Sequence, residues 1–473
     1  MREKAIRNIC CIGAGFVGGP TMAVIAYKCP ELLVNVVDIN KKRIQDWNNK
    51  DLTKLPIYED GLSEIIKNCR DKNLFFSHQV EKHIKTADMI FISVNTPTKT
   101  KGVGAGKASD LKWIEASARL ISKYARTGTI VVEKSTVPVK TAETINTILR
   151  SSEEHSYKNK ALKKFTVLSS PEFLSEGTAV NDLLNPDRVL IGGEDENAIQ
   201  ALVSIYMNWI DQEKIFTTDL WSSELSKLIA NALLAQRISS INSFSALCEN
   251  TDANIKDVSQ AIGLDKRLGK YFLNAGPGFG GSCFKKDILN LIYICNHYGL
   301  KEVSEYWAQV LEINDWQQRR IVTTIVQKLF GTIHGKKLAI LGFAFKANTN
   351  DTRESPAINI CKRLLDEGSC LSIFDPKVSA NKIQEELGIN QSNSDDFNKN
   401  AGVWESANSI NDAANQADAI IILTEWAEFK NIDWSSLKRL MRSPSWLFDT
   451  RSLNNVNKVR EEGFKVWSIG YGK

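Results

Sequence analysis

Residues 276–287 read Gly-Pro-Gly-Phe-Gly-Gly-Ser-Cys-Phe-Lys-Lys-Asp. Glycine and proline at this density exclude a regular helix or strand interior and bring bare backbone amides close to a ligand. Cys283 stands where the chain could turn into a helix whose open amides point back at the thiol. That position lowers a thiol pKa, and the thiolate is the nucleophile. If the helix begins there, Asp287 lies one turn on and shares its face. The competing reading is a glycine-rich loop beside an inert structural cysteine, and this stretch alone does not exclude it.

A second pair of groups lies in Trp221 to Glu249, which carries helical periodicity without a proline or glycine. Lys227 and Asn231 are four apart on one face, among apolar residues. A lysine there is commonly a snorkelling surface residue; an amide one turn away argues for a functional set. An ammonium and an amide stabilise an oxyanion. Oxidising an alcohol to an aldehyde needs only a hydride acceptor and a base. A thiol becomes necessary when the aldehyde is oxidised again: it forms a thiohemiacetal, which surrenders a second hydride and leaves a thioester for water to hydrolyse. Asp287, with Thr136 and a water, would supply base function. The expected chemistry is an alcohol-to-acid oxidation that gives up two hydrides per turnover to an acceptor.

The hydride acceptor has its own signal. The apolar run Asn8–Ile12 ends at Gly13-Ala-Gly15-Phe16-Val17-Gly18, and an apolar helix follows over Thr21–Ala26. The next strand, Leu33–Val37, ends in Asp38, about twenty residues past the last glycine, as a dinucleotide fingerprint asks. The glycines admit the pyrophosphate at the helix N-terminus. Asp38 would accept from a ribose diol and repel a 2′-phosphate, favouring NAD over NADP; Lys41, Lys42 and Arg43 close behind weigh against that choice, and Arg43 is counted with the cofactor residues. Ala87–Val94 ends in Asn95-Thr96-Pro97-Thr98, and Thr129–Glu133 ends in Lys134-Ser135-Thr136-Val-Pro138. Ligands of open parallel sheets sit at the carboxyl ends of strands, so Val94 to Thr98, Ser135 and Thr136 are expected at the cofactor. Thr136 reads equally well as a helix cap before Pro138. Phe165–Gly177 repeats strand and polar loop, carrying Glu172 and Glu176.

These groups need two sheets and a helical spacer. Helical patterns run on through Asp252–Leu264 and from Lys285 to Phe330. A second set of strands follows at Lys336–Leu341, Cys370–Phe374 and Ala417–Leu423, the last echoing Ala87–Ser93. The expected fold is α/β, two Rossmann-like doubly wound domains joined by a helical central domain. The divisions are an NAD-binding part over 1–212, a central part with Cys283 over 213–330, and a nucleotide-binding part over 331–473. The second half has one glycine where the first has three, so it should bind a nucleotide other than the nicotinamide dinucleotide; Lys346, Arg353 and Arg451 lie at its strand-end loops. Residues 391–400 read as a polar insertion.

The length of 473 residues asks for two or three domains. The 43% hydrophobic and 24% charged content is that of an ordinary globular protein. No apolar run reaches membrane-span length, and Met1-Arg-Glu-Lys lacks a signal-peptide core. Nine scattered cysteines form no disulfide framework, and with five histidines no zinc spacing appears. A cytoplasmic protein without metal, nucleic acid or membrane partner is expected, and the net charge of +5 is too mild and dispersed to argue otherwise.

Gly13-x-Gly-x-x-Gly18, Val94-Asn-Thr-Pro-Thr98, Lys134-Ser-Thr-Val-Pro138, Pro171-Glu-Phe-Leu174, Lys227-x-x-x-Asn231 and Phe279-Gly-Gly-Ser-Cys-Phe284 together resemble the UDP-glucose/GDP-mannose dehydrogenase family over nearly the whole chain. Ser222–Lys227 and Ala235–Ser243 resemble its animal-type branch. The resemblance implies UDP-glucose as substrate, UDP-glucuronate as product, and a homo-oligomer built from dimers across the central helices, a hexamer by family likeness. It implies Cys283 as nucleophile beside Lys227 and Asp287, with Thr136 and Glu172 assisting water. Substrate contacts would come from Glu172, Phe173, Leu174, Glu176, Lys227, Asn231, Phe279, Gly280, Gly281, Phe284, Phe345, Lys346 and Arg451. Arg267 resembles an arginine that reaches the neighbouring subunit's site, and Arg353 and Glu176 belong on the cofactor side. Ser170, Ser175 and Asn348 depart from the family wording. Three rivals stand beside this reading: a single-step β-hydroxy-acid dehydrogenase, which needs no Cys283; an oxidoreductase for another nucleotide sugar; and a non-catalytic NAD-binding protein.

Overall fold

A computed structural model describes residues 6–151, 163–392 and 402–472. The expected polar insertion at 391–400 lies outside the described residues from position 393 onward. The chain divides into two compact units, residues 1–230 and 231–473.

The first unit holds an eight-stranded sheet of β1 (Asn8–Ile12), β2 (Leu33–Val37), β3 (Leu74–Ser77), β4 (Met89–Ile92), β5 (Thr129–Glu133), β6 (Phe165–Ser169), β7 (Val189–Gly192) and β8 (Ile215–Thr218). Its order is β3-β2-β1-β4-β5-β6-β7-β8, parallel except where β6 meets β7. Strands buried on both faces read as continuous apolar runs. Ile9, Cys10 and Cys11 of β1 and all of β4 are accordingly closed to solvent. The chain reverses direction across the sheet between β1 and β4, the place where open α/β sheets bind ligands. The helix Gly18–Lys28 is buried from Gly18 to Ala26 and packs on this sheet.

The second unit carries the helices Ile255–Gly263, Phe284–His297 and Lys301–Lys328, followed by a six-stranded parallel sheet. Its strands are β9 (Lys337–Leu341), β10 (Cys370–Phe374), β11 (Trp404–Ser406), β12 (Ala419–Ile422), β13 (Trp446–Asp449) and β14 (Lys465–Ser468), in the order β11-β10-β9-β12-β13-β14. The expected α/β class is observed, with two doubly wound sheets and a helical segment between them in sequence.

The helix Leu220–Asn250 runs through the division between the units. Its start belongs to the first sheet. Leu220 is part of the core with Ile12 and Ile90, and Ser223 Oγ donates to Ser169 Oγ at 3.1 Å. Among the described residues no helix is long and apolar enough to cross a membrane.

Candidate active site

In the first unit the expected cofactor residues converge at the carboxyl ends of β1, β2, β4 and β5. A Cβ built at Gly15 meets no atom within 4 Å, so the turn has open space where a pyrophosphate must approach. Asp38 is nearly buried; it accepts from Ala14 N (3.0 Å) and Asn40 N (2.8 Å) and pairs with Arg43 Nη1 at 3.3 Å. The basic residue noted beside Asp38 is therefore its ion-pair partner. Ser135 Oγ donates to Val94 O (2.9 Å), and Thr96 Oγ1 donates to Thr136 O (2.7 Å), tying the two strand-end loops together. A glycine turn with this space, an acidic strand end and paired polar loops fits a dinucleotide.

The Glu172 loop is held from below by Lys134, which the sequence marks only as the first residue of Lys134-Ser-Thr-Val-Pro138. Lys134 is 3% exposed and its Nζ lies 3.1 Å from Glu172 Oε2, with Tyr206 OH at 3.1 Å and Ser170 Oγ at 3.5 Å. Burial alone would lower the Lys134 pKa; the Glu172 charge and Tyr206 more than offset it, so the ammonium is held above its ordinary value. Glu172 Oε1 accepts from Phe173 N at 2.9 Å. The Phe173 ring faces both the Lys227 ammonium (5.1 Å) and the Arg188 guanidinium (3.9 Å). Ser170, a departure from the family wording, is thus a ligand of the buried Lys134 head, whereas Ser175 is exposed. Glu176 is half-buried in a loop whose Gly177 and Ala179 N–H groups donate to the buried Glu59 at 2.7 and 2.9 Å.

In the second unit the helix Phe284–His297 starts directly after Cys283, which occupies its N-cap position. Of the nine cysteines Cys283 is the one that is not buried. Its Sγ lies 3.5 Å from Ser282 Oγ. Asp287, 2% exposed, donates its N–H to Cys283 O at 2.9 Å, and its Oδ2 accepts from Asn231 Nδ2 at 2.6 Å. Sequence spacing foresaw the Cys283–Asp287 turn; the Asn231–Asp287 bond was not foreseen, because it joins two helices.

The glycine loop is fixed by amides from neighbouring helices. Asn242 Oδ1 accepts from Gly276 N (2.8 Å), Asn314 Oδ1 from Phe279 N (2.8 Å), and Gln317 Nε2 donates to Gly276 O (2.9 Å). None of these three stood out in the sequence, where only apolar periodicity marked their helices. Gly281 N donates to Arg353 O at 2.9 Å, and a Cβ at Gly281 would stand 3.1 Å from the Phe345 ring. Phe284 packs edge-on against Phe279.

Arg451 donates through Nε to Leu423 O (2.9 Å), pairs with Glu425 Oε2 (3.0 Å) and lies against Gly276. Phe345 and Lys346 follow β9 on the same side, the Lys346 ammonium 5.5 Å from the Phe345 ring centre. Cys283, Asp287, Asn231, the loop, Phe345 and Arg451 are therefore brought together. Arg353 pairs with Asp351 at 2.6 Å, and Arg267, 88% exposed in its side chain, pairs with Asp265 at 2.6 Å. Asn348 has φ 61°, a left-handed conformation that asparagine tolerates better than most residues.

A pyrophosphate-accepting turn on one doubly wound sheet and a single solvent-reached thiol at a helix start describe a nicotinamide-dependent oxidoreductase. The comparisons narrow that class. The NAD-binding domain profile of the UDP-glucose/GDP-mannose dehydrogenase family matches residues 7–210, its central domain residues 221–316 and its UDP-binding domain residues 339–456. The chain belongs to this family. It is 54% identical to UDP-glucose 6-dehydrogenase 1 of Glycine max and to UDP-glucose 6-dehydrogenase 4 of Arabidopsis thaliana, in each case over 98% of this chain and 97% of the relative. A solved UDP-glucose dehydrogenase from the archaeon Pyrobaculum islandicum superposes with a TM-score of 0.82 at 29% identity, covering 100% of this chain and 99% of the other. The sequence wording had resembled the animal branch; these two curated relatives are plant proteins. NAD is the cofactor, consistent with Asp38 at the end of β2.

Proposed function

We propose that this chain oxidises UDP-glucose to UDP-glucuronate in two NAD-dependent steps, with Cys283 carrying the sugar as a thiohemiacetal and then as a thioester. The observation that carries this reading is the state of Cys283: alone among the cysteines it is not buried, at a helix N-cap, one turn from a buried carboxylate held by Asn231. When bound, NAD accepts the hydride at each oxidation. The thiol of Cys283 adds to the C6 aldehyde, its sulfur bonding to carbon while the carbonyl oxygen gains a proton. Loss of the second hydride from carbon, with the hydroxyl proton passed to a base, leaves the thioester; water then adds its oxygen to the acyl carbon as the carbon–sulfur bond breaks, releasing the acid and restoring the thiol. Four electrons leave the substrate in all, two for each NAD reduced.

The roles follow from charge and position. Lys227 supplies a cation for the oxyanions, and Asn231 and Asp287 act as a hydrogen-bonded pair beside the sulfur. Glu172, ionically paired with Lys134, and Thr136 order the hydrolytic water. Phe279 to Gly281, Phe345, Lys346 and Arg451 hold the UDP-sugar, and Arg267, which points to solvent, serves a neighbouring subunit. The reading includes the three-part division at 212 and 330, a homo-oligomer built from dimers and a cytoplasmic location.

The test is stoichiometric: NADH formed per UDP-glucose consumed. Two NADH per sugar, with a sugar adduct on Cys283 trapped by rapid acid quench and mass spectrometry, supports the thioester route. One NADH per sugar overturns it.

A further inference from the structure

Glu224 lies on the helix Leu220–Asn250, three residues before Lys227, and is 2% exposed. Its carboxylate leaves its own helix to meet the loop after β5. Oε2 accepts from Lys140 N at 2.6 Å and Oε1 from Ala142 N at 2.7 Å. Those amides sit at the far end of the loop that carries Ser135 and Thr136, where the helix Thr141–Ser151 begins. Lys140 itself is held at φ 75°, a left-handed conformation a lysine rarely adopts without outside constraint. The near end of the same loop is tied by the Thr96 hydroxyl to Thr136 O. One carboxylate and one hydroxyl thus fix both ends of the segment.

We propose that Glu224 is a positioning residue for the reaction: its ionised carboxylate clamps residues 134–142 through two backbone N–H groups and so sets the place of Thr136. The proposal rests on the reading of Thr136 as a participant in the chemistry.

The clamp is built to respond to pH. Burial pushes the Glu224 carboxyl up to about 7, and the Glu143 charge adds to that, while the Ala142 and Lys140 N–H groups pull it down. The groups facing it are Glu143 from the helix it caps and Glu133 from the end of β5. Glu133 is fully buried; burial first and the Glu224 charge second hold its carboxyl well above the carboxylate range, against Lys134 and the Ser135 N–H. Lys140's ammonium lies over the Trp221 ring, 5.9 Å from its centre, and Lys227's over Phe173. A carboxylate accepts two N–H bonds; a protonated carboxyl turns one oxygen into a donor that faces another donor. Above about pH 7 the clamp is closed, and below it one of the two bonds is lost.

Glu224→Gln imitates the protonated form, since its amide accepts one N–H and confronts the other. We expect kcat at alkaline pH to fall roughly ten- to hundredfold, the scale of a misplaced reacting group, with the KM for UDP-glucose little changed. The acid limb near neutrality should flatten in the variant. A Glu224→Gln enzyme with wild-type kcat and an unchanged acid limb overturns the proposal. Amide hydrogen exchange of the unmodified protein gives a second reading that needs no variant. Protection of the peptide carrying Lys140 and Ala142, corrected for intrinsic exchange, should rise severalfold as pH passes upward through about 7, by loss or gain of local opening; flat protection overturns the clamp. Thr136→Ala separates the two claims. If Thr136→Ala is impaired and Glu224→Gln is not, the clamp alone falls; if Thr136→Ala is fully active, the reading of Thr136 falls and takes the clamp with it.

Discussion

β1 and β9 are each followed by a glycine held in the left-handed region, Gly13 at φ 110° and Gly342 at φ 95°. Each is crowded from the adjacent strand: a Cβ at Gly13 would stand 2.1 Å from Ser93 O, and one at Gly342 2.4 Å from Thr424 Cβ. Each turn is pinned by an aspartate at the end of the next strand, Asp38 to Ala14 N (3.0 Å) and Asp375 to Phe343 N (2.7 Å) and Ala344 N (3.0 Å). Beyond that point the halves part. The first turn passes straight into the helix Gly18–Lys28; the second runs on to Ser355 before the helix Pro356–Asp366. Where the first leaves open space at Gly15, the second places Ala344, Phe345 and Lys346. On the function proposed above, one sheet design serves two ligands. The first offers helix amides to a pyrophosphate. The second would offer the cations Lys346 and Arg451 to a nucleoside diphosphate held by side chains.

If the halves divide labour in this way, damage to the chemistry should exceed damage to either binding turn. Cys283→Ser carries the largest expected effect. Serine keeps the shape at the N-cap but forms no thioester, so UDP-glucuronate production should fall by at least roughly 10³-fold while the first oxidation, with aldehyde-level sugar retained, persists. Product analysis by chromatography checks this, and normal acid output would remove the sulfur from the mechanism. Lys227→Ala comes next. Loss of an oxyanion donor should cost roughly 10²–10³ in kcat. Steady-state kinetics with an unchanged kcat would return Lys227 to the role of a cation packed on Phe173.

How far the sequence anticipated these parts depends on whether a residue's reason is local. β5 and β10 were legible to the residue, because strands covered on both faces read as largely apolar runs, Ser372 within β10 notwithstanding. β8, Ile-Phe-Thr-Thr, was not: it lies at the sheet edge with its middle residues exposed, so no apolar run marks it. The cysteine loop announced itself through glycine density, whereas Asn242, Asn314 and Gln317, which hold it, lie elsewhere in the chain. Lys134 and Glu224 were missed for a further reason. Residue type places them at the surface, and only a partner brought by the fold makes their burial tolerable. The first compact unit extends to residue 230, past the end of its last strand, because the helix Leu220–Asn250 begins packed on β6 through Ser223.

A smaller effect tests the open space at Gly15. Gly15→Ala adds a methyl that touches no protein atom, so melting should not change, yet the group stands where the pyrophosphate must come. The KM for NAD should rise about tenfold, equivalent to about 1.4 kcal/mol, with the KM for UDP-glucose unaffected. The second half already carries alanine at the corresponding place, Ala344. A rise in both KM values would deny that the two turns serve separate ligands.

The smallest effect probes the shared architecture. Asp88, before β4, accepts from Arg7 N (3.1 Å) and Asn8 N (3.0 Å) and pairs with Arg126 (3.0 Å). Asp418, before β12, accepts from Lys337 N (3.0 Å) and pairs with Arg442 more loosely, at 3.5 Å. Each ties the start of the first strand, in chain order, of its sheet, which is why the two stretches read alike in sequence. Removing either carboxylate leaves backbone donors without an acceptor, a cost of about 1–3 kcal/mol. Asp88 loses two such donors and Asp418 one, so Asp88→Ala should fall toward the upper end and Asp418→Ala toward the lower. Hydrogen exchange of the peptides carrying β1 and β9 reads each opening separately. The loss should stay within the mutated half: faster exchange in β1 for Asp88→Ala with β9 unmoved, and the reverse for Asp418→Ala. Equal losses in both sheets from either substitution would mean that the halves do not open independently, and the analogy between them would then describe their geometry without describing their stability.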